Sequence, residues 1–552
     1  MDKTIFLIFV LIFVLTFSSA EEIIWKFNSS EDFFDSNYSS EYYMVDSDND
    51  NLIIQSGLKN AGFNNLWVAN AGEGTISKIN TKTNTLVAKY RTGPWQLLLS
   101  LSPSRTAVDG EGNVWVGNRF GDMNVIKIAA DEENCIDKNG NGVIDTSKGP
   151  KEVKPSDNNG PQDECILFYV NYWGGGNVLD AGPRAIAIDL NGKVWVGIHS
   201  TSTYYKLNSE DGSLNATVVQ QNNLYPGMAR PYGAVIDGNG ILWSLNNFDG
   251  NVIVINTVTN KQIKKIDNSE RLWDYYLYGI TVSKSNKIYL GASFWYAYEN
   301  IRGYAYIENN KFIFVPRTTF DPDDNMNFWG RGVTFDNDGY LWIAGHSGNT
   351  GWLDTNGRVY KINPLTNRMV CKADIVGNAV GVVVDSDYNL WTIVNTEEGR
   401  VYKLDKNCNI LTSIVSGNRP YTYSDATGAM LQQFISKGWW KVTIYSNDGN
   451  PIDWSNISWT AENPIKGAIN LTLIFSENQG TLSFFNQSVF GRRNFSQDLT
   501  GYLSNNLTIY IKLEKGKDAG DLSPILSNLI IRAKKSDIQM NKYCGYVVYH
   551  GY

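Results

Sequence analysis

Hydrophobic and polar residues recur along the chain in one pattern that appears six times. A short apolar run ends in Asp or Ser, a turn rich in Gly and Asn follows, and a second apolar run carries an aromatic residue six positions after the Asp or Ser. This pattern predicts two antiparallel strands joined by a tight turn, with the aromatic side chain buried. The six pairs are Asp109/Trp115, Asp189/Trp195, Asp237/Trp243, Ser283/Tyr289, Asp336/Trp342 and Asp385/Trp391.

The interval between the repeats indicates the fold. The pattern returns roughly every 50 residues, and a seventh apolar run at residues 65–68 contains Trp67 but lacks its own first strand. Four-stranded units that cannot bury their faces alone and recur at this interval are typical of β-propellers. We therefore predict an all-β chain with a seven-bladed β-propeller over residues 58–430. The alternative, seven unrelated hairpins, does not account for the fixed spacing.

The first blade needs an inner strand from elsewhere in the chain. Residues 419–428 resemble the inner strand of the fourth blade at residues 230–240, since both begin with Arg-Pro-Tyr. We expect this late segment to lie beside the run at residues 65–68. The ring would then close without an open sheet edge.

The second blade contains an insertion at residues 131–165. It includes a loop that resembles the first nine positions of an EF-hand or dockerin calcium loop, with Gly142 at the sixth position. Lys148 stands where such a loop needs a carboxylate, so Asp163 or Glu164 would have to complete the oxygen shell. We predict a structural calcium ion, and the alternative is a metal-free hairpin rich in Asn and Gly. The candidate ligands are Asp137, Asn139, Asn141, Val143 through its carbonyl, and Asp145.

Five cysteines are consistent with an oxidising compartment, and their odd number leaves at least one unpaired within the chain. Cys135 and Cys165 bracket the insertion and are the first predicted disulfide. Cys371 and Cys408 are the second candidate pair, which leaves Cys544.

The N-terminus and the overall charge bear on location. Residues 1–20 combine an apolar core with small residues before the acidic positions that follow, which predicts a cleaved signal peptide, with a retained anchor as the alternative. No other segment is apolar enough to span a bilayer, so we expect no transmembrane segment in the mature chain. The formal charge is −8 without a basic block, which argues against nucleic acid as a partner. The protein is predicted to be secreted or displayed at the cell surface.

Short alternating strands replace the repeat after the propeller. Residues 437–535 predict a jelly-roll-like β-sandwich of the kind that binds carbohydrate, and residues 536–552 form a tail. Residues 21–57 are strand-like but carry no blade pattern, so we expect them to add strands to the sandwich. Sequons for N-glycosylation lie at Asn28, Asn37, Asn215, Asn456, Asn470, Asn486, Asn494 and Asn506.

Candidate ligand contacts follow from the position of each residue in its blade. Loops that enter the inner strand or leave the second strand converge around the axis at one face of a propeller, where function usually lies. Two of the three histidines, His199 and His346, occupy equivalent places in the third and sixth blades. The remaining candidate ligand-binding residues are Arg105, Arg119, Arg184, Tyr232, Tyr278, Arg331, Asn247, Asn395 and Trp295.

Arginine, asparagine, histidine and indole groups together suit a sugar, which stacks on aromatic faces and accepts and donates hydrogen bonds. The alternative interpretation is that the Arg and His side chains cap carbonyls at strand ends and that the Trp side chains pack between blades.

The blade sequence Asp-x-x-Gly-x-Leu-Trp-Val resembles that of the virginiamycin B lyase (streptogramin lyase) family of seven-bladed propellers, over about residues 58–430. The resemblance implies opening of a cyclic peptide lactone by elimination, with a Mg²⁺ ion and a His base at this face. The family's Glu-containing pattern is not matched, because the equivalent residues are Asn70, Asn118, Ile198, Asn246, Ala292, Gly345 and Val394.

Three functional classes remain open at this point. The first is an exported, non-enzymatic protein that binds a surface glycan or another extracellular ligand at the ring face. The second is a metal-assisted lyase or lactone hydrolase with His199 or His346 as the general base. The third is a structural component of the cell envelope.

Overall fold

The computed structural model describes most of the chain. The described residues are 22–29, 32–33, 39–43, 45–48, 51–54, 64–94, 101–157, 160–173, 182–221, 229–246, 250–268, 275–294, 303–347, 356–432, 437–446, 451–463, 468–476, 480–486, 491–514 and 525–535. The predicted signal peptide, Asn247, Trp295 and the predicted tail with Cys544 lie outside them. The chain divides into two compact units, one of residues 56–435 and one that joins residues 1–55 to residues 436–552.

The unit of residues 56–435 is a seven-bladed β-propeller, as the sequence predicts. In the described part of the chain, blades 2 to 7 are antiparallel sheets of four strands, and blade 1 has three strands in its own sheet. A separate hairpin of Ser156–Asp157 and Gly160–Pro161 lies between the third and fourth strands of blade 2. Blade 1 contains Asn65–Asn70, Thr75–Asn80 and Thr85–Arg91. Blade 2 contains Pro103–Val108, Val114–Asn118, Val125–Ile128 and Ile166–Val170. Blade 3 contains Pro183–Ile188, Val194–Ile198, Thr203–Leu207 and Leu214–Val219.

Blades 4 to 7 repeat the same order from the inner to the outer strand. Blade 4 contains Pro231–Ile236, Ile241–Asn246, Val252–Asn256 and Lys261–Ile266. Blade 5 contains Tyr275–Val282, Ile288–Phe294, Gly303–Glu308 and Lys311–Pro316. Blade 6 contains Trp329–Phe335, Leu341–His346, Asn356–Asn363 and Arg368–Val376. Blade 7 contains Ala379–Val384, Leu390–Val394, Gly399–Leu404 and Ile410–Gly417. In this unit, the described residues include short α-helices at Arg317–Phe320 and Ala429–Gln432 and a 3-10 helix at Glu132–Asn134.

Residues 420–426, the closing segment, complete the ring at blade 1. The backbone N–H of Tyr421 donates to the carbonyl of Ala69 at 2.9 Å, and that of Trp67 donates to the carbonyl of Ala426 at 3.0 Å. On its other side, the carbonyl of Thr422 lies against Gly381 in the inner strand of blade 7. A late segment therefore sits between the last blade and the first, which leaves blade 1 no open inner edge.

The six-residue spacing from Asp to Trp has a direct structural cause. In blade 3, one carboxylate oxygen of Asp189 accepts the backbone N–H groups of Asn191 and Lys193 and so shapes the turn. The other oxygen accepts the indole N–H of Trp195 at 3.0 Å. The same indole-to-carboxylate bond forms in blades 4, 6 and 7, at 2.8–2.9 Å. The Asp therefore fixes the turn and the buried aromatic side chain together.

Strands from both ends of the chain build the second unit. One sheet has the order Val45–Asp48, Asn51–Ile54, Ile525–Lys535, Ile452–Asn463 and Gly491–Ser504, and Glu22–Phe27 also pairs with Ile525–Lys535. The other sheet has the order Ser39–Tyr43, Lys437–Tyr445, Asn506–Glu514, Ala468–Phe475 and Gly480–Asn486.

The two sheets of this unit touch through aromatic side chains. The rings of Phe475 and Tyr502, one from each sheet, stack with their centroids 4.5 Å apart. Phe27 and Trp440 meet edge to face at 5.3 Å. The jelly-roll-like sandwich stays a prediction at the level of topology.

Candidate ligand site at the propeller axis

β-bulges near the start of the inner strands in blades 2 to 7 shape the candidate site. In blade 3, for example, the pairing of the inner strand with its neighbour skips Arg184, which lies between Pro183 and Ala185. A bulge leaves a residue outside the ladder and redirects its side chain. The skipped residues are Ser104, Arg184, Tyr232, Tyr278 with Gly279, Arg331 with Gly332, and Val380.

The inner strands of blades 2 to 6, the closing segment and Arg119 after the second strand of blade 2 bring four arginines and four tyrosines into mutual contact. We call this group the arginine–tyrosine cluster. Its members are Arg105, Arg119, Arg184, Arg331, Tyr232, Tyr278, Tyr421 and Tyr423. Six of them are among the ligand-binding residues that the sequence analysis names.

The tyrosines form the centre of the cluster. The hydroxyl of Tyr423 donates to that of Tyr421 at 3.4 Å, and the hydroxyls of Tyr421 and Tyr232 lie 3.1 Å apart. The rings of Tyr421 and Tyr423 meet edge to face at 5.0 Å, and Tyr278 lies 5.6 Å from Tyr232. The phenolic oxygen of Tyr421 is therefore the point where these side chains converge.

Each arginine lies over a tyrosine ring. The distance from the guanidinium carbon to the ring centroid is 3.5 Å for Arg105 over Tyr423. It is 3.9 Å for Arg331 over Tyr278, 4.3 Å for Arg119 over Tyr421 and 5.0 Å for Arg184 over Tyr232. Cation–π contacts of this kind contribute about 0.5–2 kcal/mol each, more when they are desolvated.

The four arginines differ in how many of their N–H groups have a hydrogen-bond acceptor in the protein. Arg105 is 2% exposed and donates from Nε to the carbonyls of Arg184 and Tyr232, each at 2.8 Å. Arg119 is partly exposed and donates from Nε to the hydroxyl of Ser102 at 2.9 Å. For Arg105, the interpretation that arginines cap carbonyls therefore applies, whereas Arg119 retains free donors within the described part of the chain.

The positive charges change the ionisation of the central tyrosine. Burial alone would raise the pKa of Tyr421, but Arg119, Arg184 and Arg331 outweigh it and lower that pKa to about 7. Burial raises the pKa of Tyr423 well above its usual value. One phenol of the cluster is thus poised to ionise near neutral pH, and the others stay neutral.

Both candidate histidines lie beside the cluster. His346 is fully buried, and its Nε2 accepts from Nε and Nη2 of Arg331, each at 3.1 Å. The ring of Trp329 lies 5.6 Å from that of His346. On another blade, the partly exposed His199 lies 6.3 Å from the ring of Tyr232. The lone pair that a general base would use on His346 is engaged by Arg331.

Asn395 and the two remaining candidates have other positions. The side-chain amide of Asn395 donates to the carbonyl of Pro420 at 2.7 Å, so it holds the start of the closing segment. Asn247 and Trp295 lie outside the described residues. Two members of the cluster, Tyr421 and Tyr423, were not named as ligand contacts from the sequence. The signal was present, since Pro420-Tyr421 repeats Pro231-Tyr232.

The insertion loop brings its oxygen-bearing side chains together. The amide nitrogens of Asn139 and Asn141 both donate to Oδ2 of Asp145, at 3.0 and 2.9 Å. The carboxylate of Asp137 accepts the backbone N–H groups of residues 140–142. Lys154 donates to the other oxygen of Asp145 at 2.9 Å, and its hydrogen bond is the largest cause that lowers the pKa of Asp145 to about 2.

Asp163 and Glu164 do not complete an oxygen shell in this geometry. Glu164 accepts the backbone N–H groups of Lys138 and Asp145 at 2.9 and 2.7 Å, and thereby ties the two ends of the loop. Asp163 accepts from the hydroxyl groups of Thr146 and Ser147. A calcium ion would have to use the Asn amide oxygens, the carbonyl of Val143 and the carboxylates of Asp137 and Asp145.

Two disulfides lie in the propeller. Cys135 and Cys165 are bonded, with their Cα atoms 4.4 Å apart, and close the base of the insertion. Cys371 and Cys408 are bonded, with their Cα atoms 6.0 Å apart, and join blades 6 and 7.

The residues at the axis do not fit the Mg²⁺ ion that the family resemblance implies. Mg²⁺ prefers carboxylate and water oxygens, whereas the cluster offers phenols and four guanidinium groups that repel a cation. Asn118, one of the residues in place of the family's Glu, bonds to the carbonyl of Thr92 and the side chain of Asn124. The described residues contain no group of three or more His, Cys, Asp or Glu side chains placed to bind a metal ion.

Comparison with known proteins shows similarity in structure and none in sequence. No family model and no curated protein sequence matches the chain. Solved structures that resemble it include hydrazine synthase of Kuenenia stuttgartiensis, at 12% identity and a TM-score of 0.41, over 62% of this chain and 92% of that one. Another is a streptogramin B lyase, at 13% identity and a TM-score of 0.40, over 67% of this chain and 94% of that one.

A third similar structure is virginiamycin B lyase from Staphylococcus aureus, at 14% identity and a TM-score of 0.39, over 61% of this chain and 90% of that one. At these identities the likeness concerns the fold alone.

Among the described residues, no helix has the length and apolar character needed to cross a membrane.

Proposed function

We propose that this is an exported, non-enzymatic protein whose propeller binds a glycan or another surface ligand at the arginine–tyrosine cluster. The observation that carries the proposal is the convergence of eight polar and aromatic side chains on the axis. They come from the inner strands of five blades, the closing segment and the residue after the second strand of blade 2.

The electrostatics of the cluster support binding. A buried charge is expensive unless it is paired, and these arginines are balanced by tyrosine rings and one ionisable phenol. Charged groups whose burial destabilises the fold often belong to a binding or catalytic site. Arg119, Arg184, Tyr278 and His199 are partly exposed, so a ligand can reach them.

A sugar matches the chemistry of the cluster. Hydroxyl groups accept hydrogen bonds from guanidinium groups and exchange them with phenols, and the apolar face of a pyranose packs on an aromatic ring. Phe120 adds such a ring, with the guanidinium groups of Arg119 and Arg184 at 5.2 and 5.4 Å from its centroid. Several fixed donors around a partly apolar surface are the usual composition of a small-ligand site.

Binding is a better account of the cluster than the lyase alternative. An elimination needs a base that is free to take a proton and an electrophile that stabilises the developing anion. His346 already accepts from Arg331, and the axis does not fit Mg²⁺. His199 lies beside Tyr232 on another blade, but a histidine alone does not make a metal-assisted lyase.

We also propose that the insertion loop binds a structural calcium ion. Asp137, Asn139, Asn141 and Asp145 already face one another, with Gly140 and Gly142 in the left-handed conformation that the tight loop requires. The ion would stabilise the loop at the rim of blade 2.

A glycan array with purified full-length protein tests the binding proposal. The wild type is compared with Arg184→Met, which removes a guanidinium from the cluster, and with Arg368→Met, which removes one from the exposed outer strand of blade 6. We expect the wild type and Arg368→Met to bind the same glycans and Arg184→Met to lose them. Binding retained by Arg184→Met moves the site elsewhere, and turnover of a cyclic peptide lactone without glycan binding overturns the proposal in favour of the lyase.

A further inference from the structure

The arginines of the cluster fall into two pairs with different surroundings. Arg105 and Arg331 are 2% and 3% exposed, and their guanidinium groups donate to protein acceptors: backbone carbonyls for Arg105 and His346 for Arg331. Arg119 and Arg184 are partly exposed. The first pair is bonded to protein acceptors, and the second pair is accessible to solvent.

Arg184 has no hydrogen-bond acceptor in the described part of the chain, and its buried Nε is without a partner. Arg119 uses only Nε, on the hydroxyl of Ser102, and its two terminal nitrogens make no bond there. Neither arginine forms an ion pair with an Asp or Glu among the described residues. A guanidinium with five N–H groups and so few acceptors is costly to bury.

The two guanidinium groups flank one place. Both lie against the ring of Phe120, at 5.2 and 5.4 Å, and each lies over one of two tyrosines whose hydroxyls are 3.1 Å apart. Burial lowers the pKa of Arg119, and the positive charge of Arg184 adds to that lowering, so the two guanidinium groups repel each other. An anion between them would remove the repulsion and satisfy the free donors.

We propose that the ligand of this site carries an anionic group, a carboxylate or a sulfate, and that Arg119 and Arg184 hold it while Phe120 packs against the attached ring. This inference rests on the proposed function and narrows the ligand to an acidic saccharide. Arginine suits the role because its planar N–H groups match the paired oxygens of a carboxylate or sulfate. The phenolic oxygen of Tyr421 takes the place of that anion when no ligand is bound.

Calorimetric titration with matched saccharides tests the inference. One pair of probes is an oligogalacturonate and its fully methyl-esterified form, in which a methyl ester replaces each carboxylate and removes its charge. A second pair is a sulfated oligosaccharide and its desulfated form, which separates sulfate from carboxylate. We expect the acidic member of one pair to bind at least about tenfold more tightly than its neutral partner, since hydrogen bonds to charged groups are the stronger kind.

Variants show which arginines cause the preference for the acidic probe. Arg119→Gln and Arg184→Gln should each weaken binding of the acidic probe by roughly tenfold or more and bring it close to that of the neutral probe. Arg368→Gln, on the outer strand, should leave the ratio unchanged. Two separate variants are used so that a folding defect in one, seen by circular dichroism, leaves the other to decide.

The outcomes separate this inference from the proposed function. Equal affinity for acidic and neutral probes, lost in Arg184→Gln, overturns the anionic ligand and keeps the binding site. A preference for acidic probes that survives both variants overturns the assignment to Arg119 and Arg184. Failure of every saccharide on the array and in calorimetry overturns the proposed function, and this inference with it.

Discussion

Lys206 in blade 3 donates a hydrogen bond from Nζ to the carbonyl of Thr257 in blade 4, over 2.8 Å. The same amine lies 3.5 Å from Oδ2 of Asp189, the residue that also accepts the indole N–H of Trp195. One buried lysine thus links the turn of its own blade to the next blade. Equivalent lysines bond to the following blade at Lys78, Lys127, Lys361 and Lys403, the last from blade 7 back to blade 1.

Replacing Lys206 should destabilise the propeller. Lys206→Met keeps the apolar stem but leaves the Asp189 carboxylate without its cation and the Thr257 carbonyl without its donor. We expect a loss of about 3 kcal/mol in the free energy of unfolding, at the low end for a broken buried ion pair because Asp189 keeps other donors. Urea denaturation followed by fluorescence measures it. Lys287→Met is the control, because its partner Glu308 is exposed and such pairs contribute about 1 kcal/mol or less; equal losses would contradict the role of Lys206.

The blade aromatics should also contribute strongly to stability. Trp195 is fully buried and packs in the core between blades 3 and 4, and its indole N–H bonds to Asp189. Trp195→Ala should cost roughly 3–5 kcal/mol, and Trp195→Phe less because it keeps most of the apolar volume. Thermal denaturation of the two variants is the measurement. A midpoint unchanged in Trp195→Ala would mean that the aromatic does not belong to the core.

The propeller could be read from the sequence because its determinants are local. Asp189 shapes its turn and bonds Trp195 within seven residues, and the same bond forms in blades 4, 6 and 7. In blade 2, the indole N–H of Trp115 makes no bond among the described residues. The cluster could be predicted only in part. Tyr421 meets Tyr232 across 189 positions of the chain, a contact that exists only once the ring has closed. Likewise, nothing in the sequence shows that Glu164 ties the ends of the insertion loop.

The lowered pKa of Tyr421 predicts one phenol that ionises near pH 7. Absorbance near 295 nm should rise by the equivalent of one phenolate as the pH passes through this value, and Tyr421→Phe should remove the step. The groups that face this phenol are Arg119, Arg184, Arg331, Tyr232 and Tyr423. Because ionisation cancels one positive charge of the cluster, binding of an anionic saccharide should weaken as the pH rises through about 7. A first phenolate only near pH 10 would contradict the cluster electrostatics.

Calcium should raise the thermal stability of the insertion. We expect the midpoint of unfolding to be higher with excess calcium than with a chelator, and Asp145→Asn to remove the difference, since it takes away a charged ligand. Lys154→Met should increase the affinity for calcium, because Lys154 competes for the same carboxylate. Asp211→Asn is the matched control, as Asp211 is an exposed turn carboxylate that accepts the N–H of Ser213. A midpoint that does not respond to calcium would remove the metal site.

The bond between Arg331 and His346 allows a test of whether His346 positions Arg331 or acts as a catalytic base. If Nε2 of His346 serves to hold Arg331, His346→Gln can replace the acceptor and should retain ligand binding, whereas His346→Leu cannot and should lose it. The Leu variant should also lose about 1–3 kcal/mol of stability, the cost of removing one partner of a buried hydrogen bond to a charged group. If His346 were a catalytic base, both variants would abolish turnover of a lactone substrate equally. Calorimetry and a turnover assay on the same three proteins separate the two roles, and rescue by Gln is the result expected.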